Sequence, residues 1–340
     1  MHYGQLRPNR SAVHSISNMK MADATKARTT TQAFDYSIPM VGIARAGGAL
    51  VVAVLLTQAT FAQAIFSMPG SVLFFWDGAL ELREVALTNE RALALQLYPG
   101  PWSHPVVARD ASRVASGFFA TPVPVANHLT LGVFSFTRQE WKTYGNFAEI
   151  GAPGISPGGT RVAFVAKQVG GHNAFLILDT SSGMTDSVTQ LEAAASGEGP
   201  SWSPDGKRLA VVVVQKAGIP AIAVYDLSTS ELNVVGKGGD PSWSPTGEWI
   251  AYFETGERCI LVHSDGTKTK VVRNLGGLLR PYRGFRYPAV WSPDGKQLLL
   301  DELKGEGPNI DVILVDVESG KVTRKSHNGL AVVGWAAWKP

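Results

Sequence analysis

Ser201-Trp202-Ser203-Pro204-Asp205-Gly206-Lys207 recurs almost unchanged as Ser242-Trp243-Ser244-Pro245-Thr246-Gly247-Glu248 and as Val290-Trp291-Ser292-Pro293-Asp294-Gly295-Lys296. A weaker copy is Ile155-Ser156-Pro157-Gly158-Gly159-Thr160. Each copy leads into an apolar run, at residues 209–214, 249–253, 298–300 and 162–165. The three tryptophans stand 41 and 48 residues apart, and Trp338 falls 47 further on. Regular spacing of this length marks a chain built from repeated supersecondary units.

The physics of one unit is legible. A short strand carries the Trp inward. Ser-Pro-Asp-Gly then makes a tight turn, in which Pro presets φ, Asp bonds nearby backbone and Gly relieves strain. A second strand from Arg208 to Val214 follows, then a third from Ala221 to Leu227, the polar turn Ser228-Thr229-Ser230 and a fourth strand from Leu232 to Val235. Four strands in roughly 45 residues form a propeller blade. One blade cannot bury both of its faces, so blades must stack around an axis. Units begin near residues 104, 152, 199, 240 and 288, and residues 71–97 supply strands two to four of a sixth. The missing first strand is Val332-Val333-Gly334-Trp335-Ala336-Ala337-Trp338 at the C-terminus. The predicted fold is therefore all-β, a six-bladed β-propeller whose C-terminal strand closes the first blade and leaves no free edge there. The second unit, from Val106 to about Phe147, departs most from the pattern. There Asp110-Ala111-Ser112-Arg113 is read in place of Ser-Pro-Asp-Gly.

Trp-Ser-Pro-Asp-Gly-Lys before an apolar strand, with later strands ending in Asp (Tyr225-Asp226 and Val315-Asp316), resembles the TolB-type propeller repeat, which is WD-repeat-like. The resemblance covers 152–340 closely and 71–151 in outline. It implies the fold and leaves function open, since such repeats occur in TolB, in exported proteins and in propellers attached to prolyl-oligopeptidase-like hydrolases. The α/β domain that precedes the propeller in TolB has no counterpart between Ala64 and Ser71.

The 36 glycines and 20 prolines among 340 residues suit many strands joined by turns. The net charge of +3 is unevenly placed. Six of the 31 basic and two of the 28 acidic residues precede residue 65, which leaves 25 and 26 in residues 65–340. A nucleic-acid partner loses its electrostatic basis on that count. The single cysteine, Cys259 in Cys-Ile-Leu-Val, allows no intrachain disulfide and reads as core. Residues 46–56 are an uncharged apolar run preceded by Arg45 and followed by Ala62-Gln63-Ala64, the pattern of a secretory signal peptide. The expected organisation is a polar leader or mis-assigned start at 1–39, a signal peptide at 40–64 and a TolB-like propeller at 65–340. The expected location is periplasmic or secreted, or membrane-anchored should the signal stay uncleaved.

Signals for chemistry are few. Gly154-Ile155-Ser156-Pro157-Gly158 matches a nucleophile pattern but coincides with the repeat's turn, and a strand follows instead of a helix. Asp205 and Asp294 lack further carboxylates at calcium-loop spacing. His104, His128, His172, His263 and His327 show no metal-ligand spacing. No catalytic residue, metal or cofactor is assigned. Binding candidates lie in two loops. One, from Lys268 to Tyr287, carries Arg273, Arg280, Tyr282, Arg283 and Arg286, residue types that dominate binding hot spots. The other, Tyr98-Pro99-Gly100-Pro101-Trp102-Ser103-His104, is rigid and aromatic, with Trp102 and His104 as candidates. The expectation is a monomeric exported module binding a protein, small molecule or glycan. The competing reading is a lactonase- or lyase-like propeller enzyme with its site at the channel mouth.

Overall fold

The computed structural model describes residues 45–46, 49–50, 71–76, 81–85, 90–94, 98–99, 105–119, 129–191, 199–254, 258–274, 287–303, 310–327 and 331–337. Residues 1–55 form a unit of their own, in which Arg45–Ala46 pairs antiparallel with Ala49–Leu50. The remainder of the proposed leader and signal peptide lies outside the described residues. Among the described residues no helix is long and apolar enough to cross a membrane.

From Leu56 onward the chain is a second unit of antiparallel blades. Blade 4 runs inner to outer as Ser201–Trp202, Arg208–Val214, Pro220–Asp226 and Leu232–Lys237. Blade 5 follows with Gly239–Trp243, Trp249–Glu254, Arg258–His263 and Thr269–Asn274, so Arg273 belongs to a strand, opposite Cys259, and not to the loop expected there. Blade 6 has Val290–Trp291, Gln297–Leu303, Ile310–Asp316 and Val322–His327. Blades 2 and 3 share one nine-stranded sheet. The outer strand of blade 2, Glu140–Ile150, shifts register between Tyr144 and Phe147, and its end pairs with Arg161–Gln168 of blade 3. Gly145, at φ 70, sits at that bulge, where the strand must bend toward its new partner. Blade 1 joins the two ends of the propeller chain, as Ala331–Ala337, Ser71–Trp76, Glu81–Val85 and Glu90–Ala94.

The turn between the first two strands explains the repeat. The buried Ser203 donates its N–H to the Arg208 carbonyl (2.9 Å), and its Oγ accepts from Arg208 N (2.9 Å). Gly206, at φ 68, donates to the Ser203 carbonyl, and Asp205 Oδ1 accepts from Lys207 N (3.0 Å). Ser292 with Asp294 repeats these bonds. Thr246 meets Ser244 through its hydroxyl at 3.0 Å, which is why this slot tolerates Thr for Asp. Asp226 and Asp316, which end third strands, cap the following turns by accepting from Ser228 N and Ser319 N (2.8 Å each).

Packing alternates along each strand. One face of blade 4 (Leu209, Val211, Val213) packs with Ala163 and Val165 of blade 3, while Ala210 and Val212 pack with Trp243, Ile250 and Tyr252 of blade 5. Arginines at the start of second strands fasten neighbours together. Arg113 Nη1 donates to the Gly159 carbonyl of the next blade, and Arg161 and Arg208 lie over the rings of Trp202 and Trp243 at 4.6 and 4.9 Å. A cation over an indole face is attracted by the ring quadrupole. Trp202 Nε1 donates to the Gly154 carbonyl (3.0 Å) across the same seam.

Trp335 is buried and lies opposite Leu73, as Trp202 lies opposite Leu209 and Trp291 opposite Leu298. The repeat's tryptophan in blade 1 is thus Trp335; the spacing that pointed to Trp338 overcounts by three, and Trp338 lies outside the described residues. At this closure Val332 N donates to Asp301 Oδ1 (3.4 Å). Loss of water pushes the Asp301 carboxyl up to about 8, against a smaller opposing effect of the Val332 bond.

Gly154 makes the tightest approach between blades, since a Cβ there would sit 1.8 Å from the Pro200 carbonyl oxygen. Gly154→Ala is expected to cost on the order of 3 kcal/mol, seen as a lower denaturation midpoint with an unchanged m-value. Asp301 gives a second expectation. Its folded-state pKa exceeds the ordinary 3.8, so the native state holds an extra proton and stability falls as pH rises from about 4 to about 8. Asp301→Asn is therefore expected to raise the melting temperature at pH 8 and to change it little at pH 4. An equal shift at both values would contradict this origin.

Candidate functional site

The inner strands of all six blades enclose one axial channel of about 280 Å³. Its wall is mostly apolar, for two reasons traceable to the repeat. Proline stands two residues before the inward position in four blades (Pro105, Pro153, Pro200, Pro241), and Pro157, Pro245 and Pro293 follow it by two. Trp202, Trp243, Trp291 and Trp335 stand behind these prolines, almost wholly buried in the seams. Strands this close to an axis have room for small or rigid residues, and proline withdraws one N–H that the lumen would leave unpaired.

Blade 2 breaks the pattern. Its turn is Ala108-Arg109-Asp110-Ala111, two residues earlier than Asp110-Ala111-Ser112-Arg113. Ala108 N donates to the Arg113 carbonyl, Ala111 N to the Ala108 carbonyl, and Asp110 Oδ1 accepts from Ser112 N, the bonds made by Ser203, Gly206 and Asp205 in blade 4. Ala111 even takes the left-handed conformation (φ 55) that glycine holds elsewhere. Arg109 therefore occupies the proline slot. Its guanidinium crosses the axis to blade 5, three blades away, where Nη1 donates to the Ser244 carbonyl (3.1 Å) and Nη2 to the Trp243 carbonyl. Burial pushes its pKa down to about 10, so it stays charged at neutral pH. Among the described residues no Asp or Glu lines the channel and no carboxylate pairs with Arg109. Sequence reasoning missed Arg109 because the turn was aligned two residues late. Matching Val107 to the tryptophan position would have placed it.

The other sequence candidates sort as follows. Arg280, Tyr282, Arg283, Arg286, Trp102 and His104 lie outside the described residues. The loops that carry them end, in sequence, at Tyr287 and Pro105, and both of these line the channel. Ser156 is buried, and its Oγ accepts from Arg161 N (2.9 Å), so it serves the turn and not as a nucleophile. Cys259 is buried between blades 5 and 6, where desolvation pushes its thiol up to about 12. Thiolate chemistry is suppressed there. Among the described residues no three His, Cys, Asp or Glu side chains converge as a metal site would require.

Solved structures with the same architecture include TolB from Acinetobacter baumannii (TM-score 0.59, 15% identity, covering 82% of this chain and 70% of that one). A TolB candidate from Agrobacterium tumefaciens gives a TM-score of 0.53 at 17% identity, covering 76% and 91%. An oligogalacturonate lyase in complex with manganese gives 0.51 at 16% identity, covering 73% and 75%. At these identities the likeness is one of fold, and it bears out the propeller and its TolB-type repeat. None of the curated proteins matches the chain. The family model of the dipeptidyl peptidase IV (DPP IV) N-terminal region matches residues 137–332. With that match spanning more than half of its length, the chain belongs to the dipeptidyl peptidase IV N-terminal region family.

Proposed function

We propose that this propeller is an exported binding module that receives its partner at the mouth of the axial channel. One observation carries the reading. The two loops richest in recognition residues lead directly into Pro105 and Tyr287, and both of these belong to the wall of the apolar cavity. Binding sites on rigid scaffolds are commonly built in this way, with variable loops set on a fixed wall that excludes water. Arg280, Tyr282, Arg283 and Arg286 would supply directional donors and aromatic area, with Trp102 and His104 adding to them from the second loop. Export rests on the apolar run at residues 46–56 followed by Ala62-Gln63-Ala64. The partner is a protein, small molecule or glycan outside the cytoplasm.

Expression with a C-terminal tag in the native cell tests both halves. The protein is expected in the exported fraction, with its new N-terminus just after Ala64. A photo-crosslinking residue at position 287 is expected to capture a defined partner, while one at the exposed position 184 captures none. Arg280→Ala with Arg283→Ala is expected to remove the adduct and leave the melting temperature unchanged. Identical adducts from both positions, or an adduct insensitive to the double variant, would sink the binding proposal. Retention in the cytoplasm would sink export.

A further inference from the structure

Arg109 asks for an anion. It stands where three other blades present proline to the channel, so nothing in the turn's own geometry requires a charge there. A guanidinium carries five N–H donors in a planar fork. Two carbonyls of blade 5 accept from Nη1 and Nη2, and among the described residues no other acceptor meets it. Backbone carbonyls supply dipoles but no countercharge, and a half-buried cation without a countercharge still carries a desolvation cost.

The wall around it is also short of acceptors. Trp202 Nε1 and Trp291 Nε1 donate to inner-strand carbonyls of the preceding blades, Gly154 and Ser242, each at 3.0 Å. Trp335, at the seam of blades 6 and 1, is only 5% exposed, yet its Nε1 meets no acceptor among the described residues. Among the described residues the channel thus offers one cation and no lining carboxylate, against a wall of prolines and valines with Ser201, Ser242 and Ser292 between them, while the unpartnered Trp335 indole lies buried behind it. Its volume of about 280 Å³ suits a small group or a chain end more than a folded segment.

We propose that the channel takes the carboxylate end of an apolar chain, with the carboxylate seated on Arg109 and the apolar portion between the prolines and valines of the wall. This rests on the channel being the binding site and names the chemistry it selects. A charge-assisted contact to a guanidinium fork is about twice as strong as a neutral one. Discrimination against an uncharged isostere follows, because the amide offers no countercharge to the half-buried cation. Either a free aliphatic acid or the C-terminus of an apolar peptide could present this chemistry.

Titration calorimetry on the full propeller separates these sources. The probes are octanoate and octanamide, and N-acetyl-leucyl-leucine as acid and as amide. Each source that the channel accepts should bind at least about tenfold more tightly as the acid than as the amide. Arg109→Met should reduce that preference to near unity while leaving amide binding intact. Arg109→Lys, which keeps the charge and loses the fork, should keep part of it. Should Arg109→Met fail to fold, the acid–amide ratio of the wild type and of Arg109→Lys decides. Equal binding of acid and amide by the wild type, or an acid preference that survives Arg109→Met, overturns the carboxylate assignment and leaves the channel as a binding site. Binding of none of the four probes also overturns it, and the crosslink at position 287 then judges the channel reading separately.

Discussion

A four-stranded blade has two apolar faces and no means of covering either, and every other feature of this propeller answers that constraint. Strand residues alternate between neighbours, so that Leu209 and Val211 serve one seam and Ala210 and Val212 the next. Burial of each such aliphatic side chain contributes roughly 1.5–3 kcal/mol. An open array would leave its terminal faces in water. Closure through Ala331–Ala337 removes that penalty by pairing the last strand with Ser71–Trp76.

Seams need direction as well as area, and polar groups supply it. The indole N–H groups of Trp202 and Trp291 donate across to inner-strand carbonyls, that of Trp243 donates to Gly247 in its own turn, and Arg113 reaches into the next blade's turn. These contacts fix how far each blade rotates against its neighbour, whereas hydrophobic burial alone does not distinguish small shifts in register. The seam at Trp335 departs from the rule, with its indole donor lacking an acceptor among the described residues and a desolvated Asp301 nearby in the closing contact.

The charge at the axis stands where the repeat is least regular. A turn that has Pro in blades 3, 4, 5 and 6 has Arg109 in blade 2, with Asp110 and Ala111 preserving the backbone path around it. The scaffold tolerates this exchange because the turn's hydrogen bonds depend on the backbone and on the Asp, not on the proline ring. A charged group could therefore be added at the axis without rebuilding the blade. A fold sets where a site can be and not what it does, so a local substitution of this kind needs no change of architecture.

The sequence by itself determined the blades, their number and their closure. Those depend on short-range physics: Ser203, Asp205 and Gly206 bond within their own turn, and alternation along Arg208 to Val214 assigns faces without knowledge of any neighbour. It also identified Cys259 as core and Ser156 as a turn residue. Only the tertiary structure decided that Trp335 and not Trp338 fills the repeat position, that blades 2 and 3 share a strand, and that Arg109 crosses the axis to blade 5. The first and last depend on residues far apart in the chain meeting across a ring, and the shared strand on a bulge that turns Glu140–Ile150 toward its neighbour; spacing along a sequence measures neither.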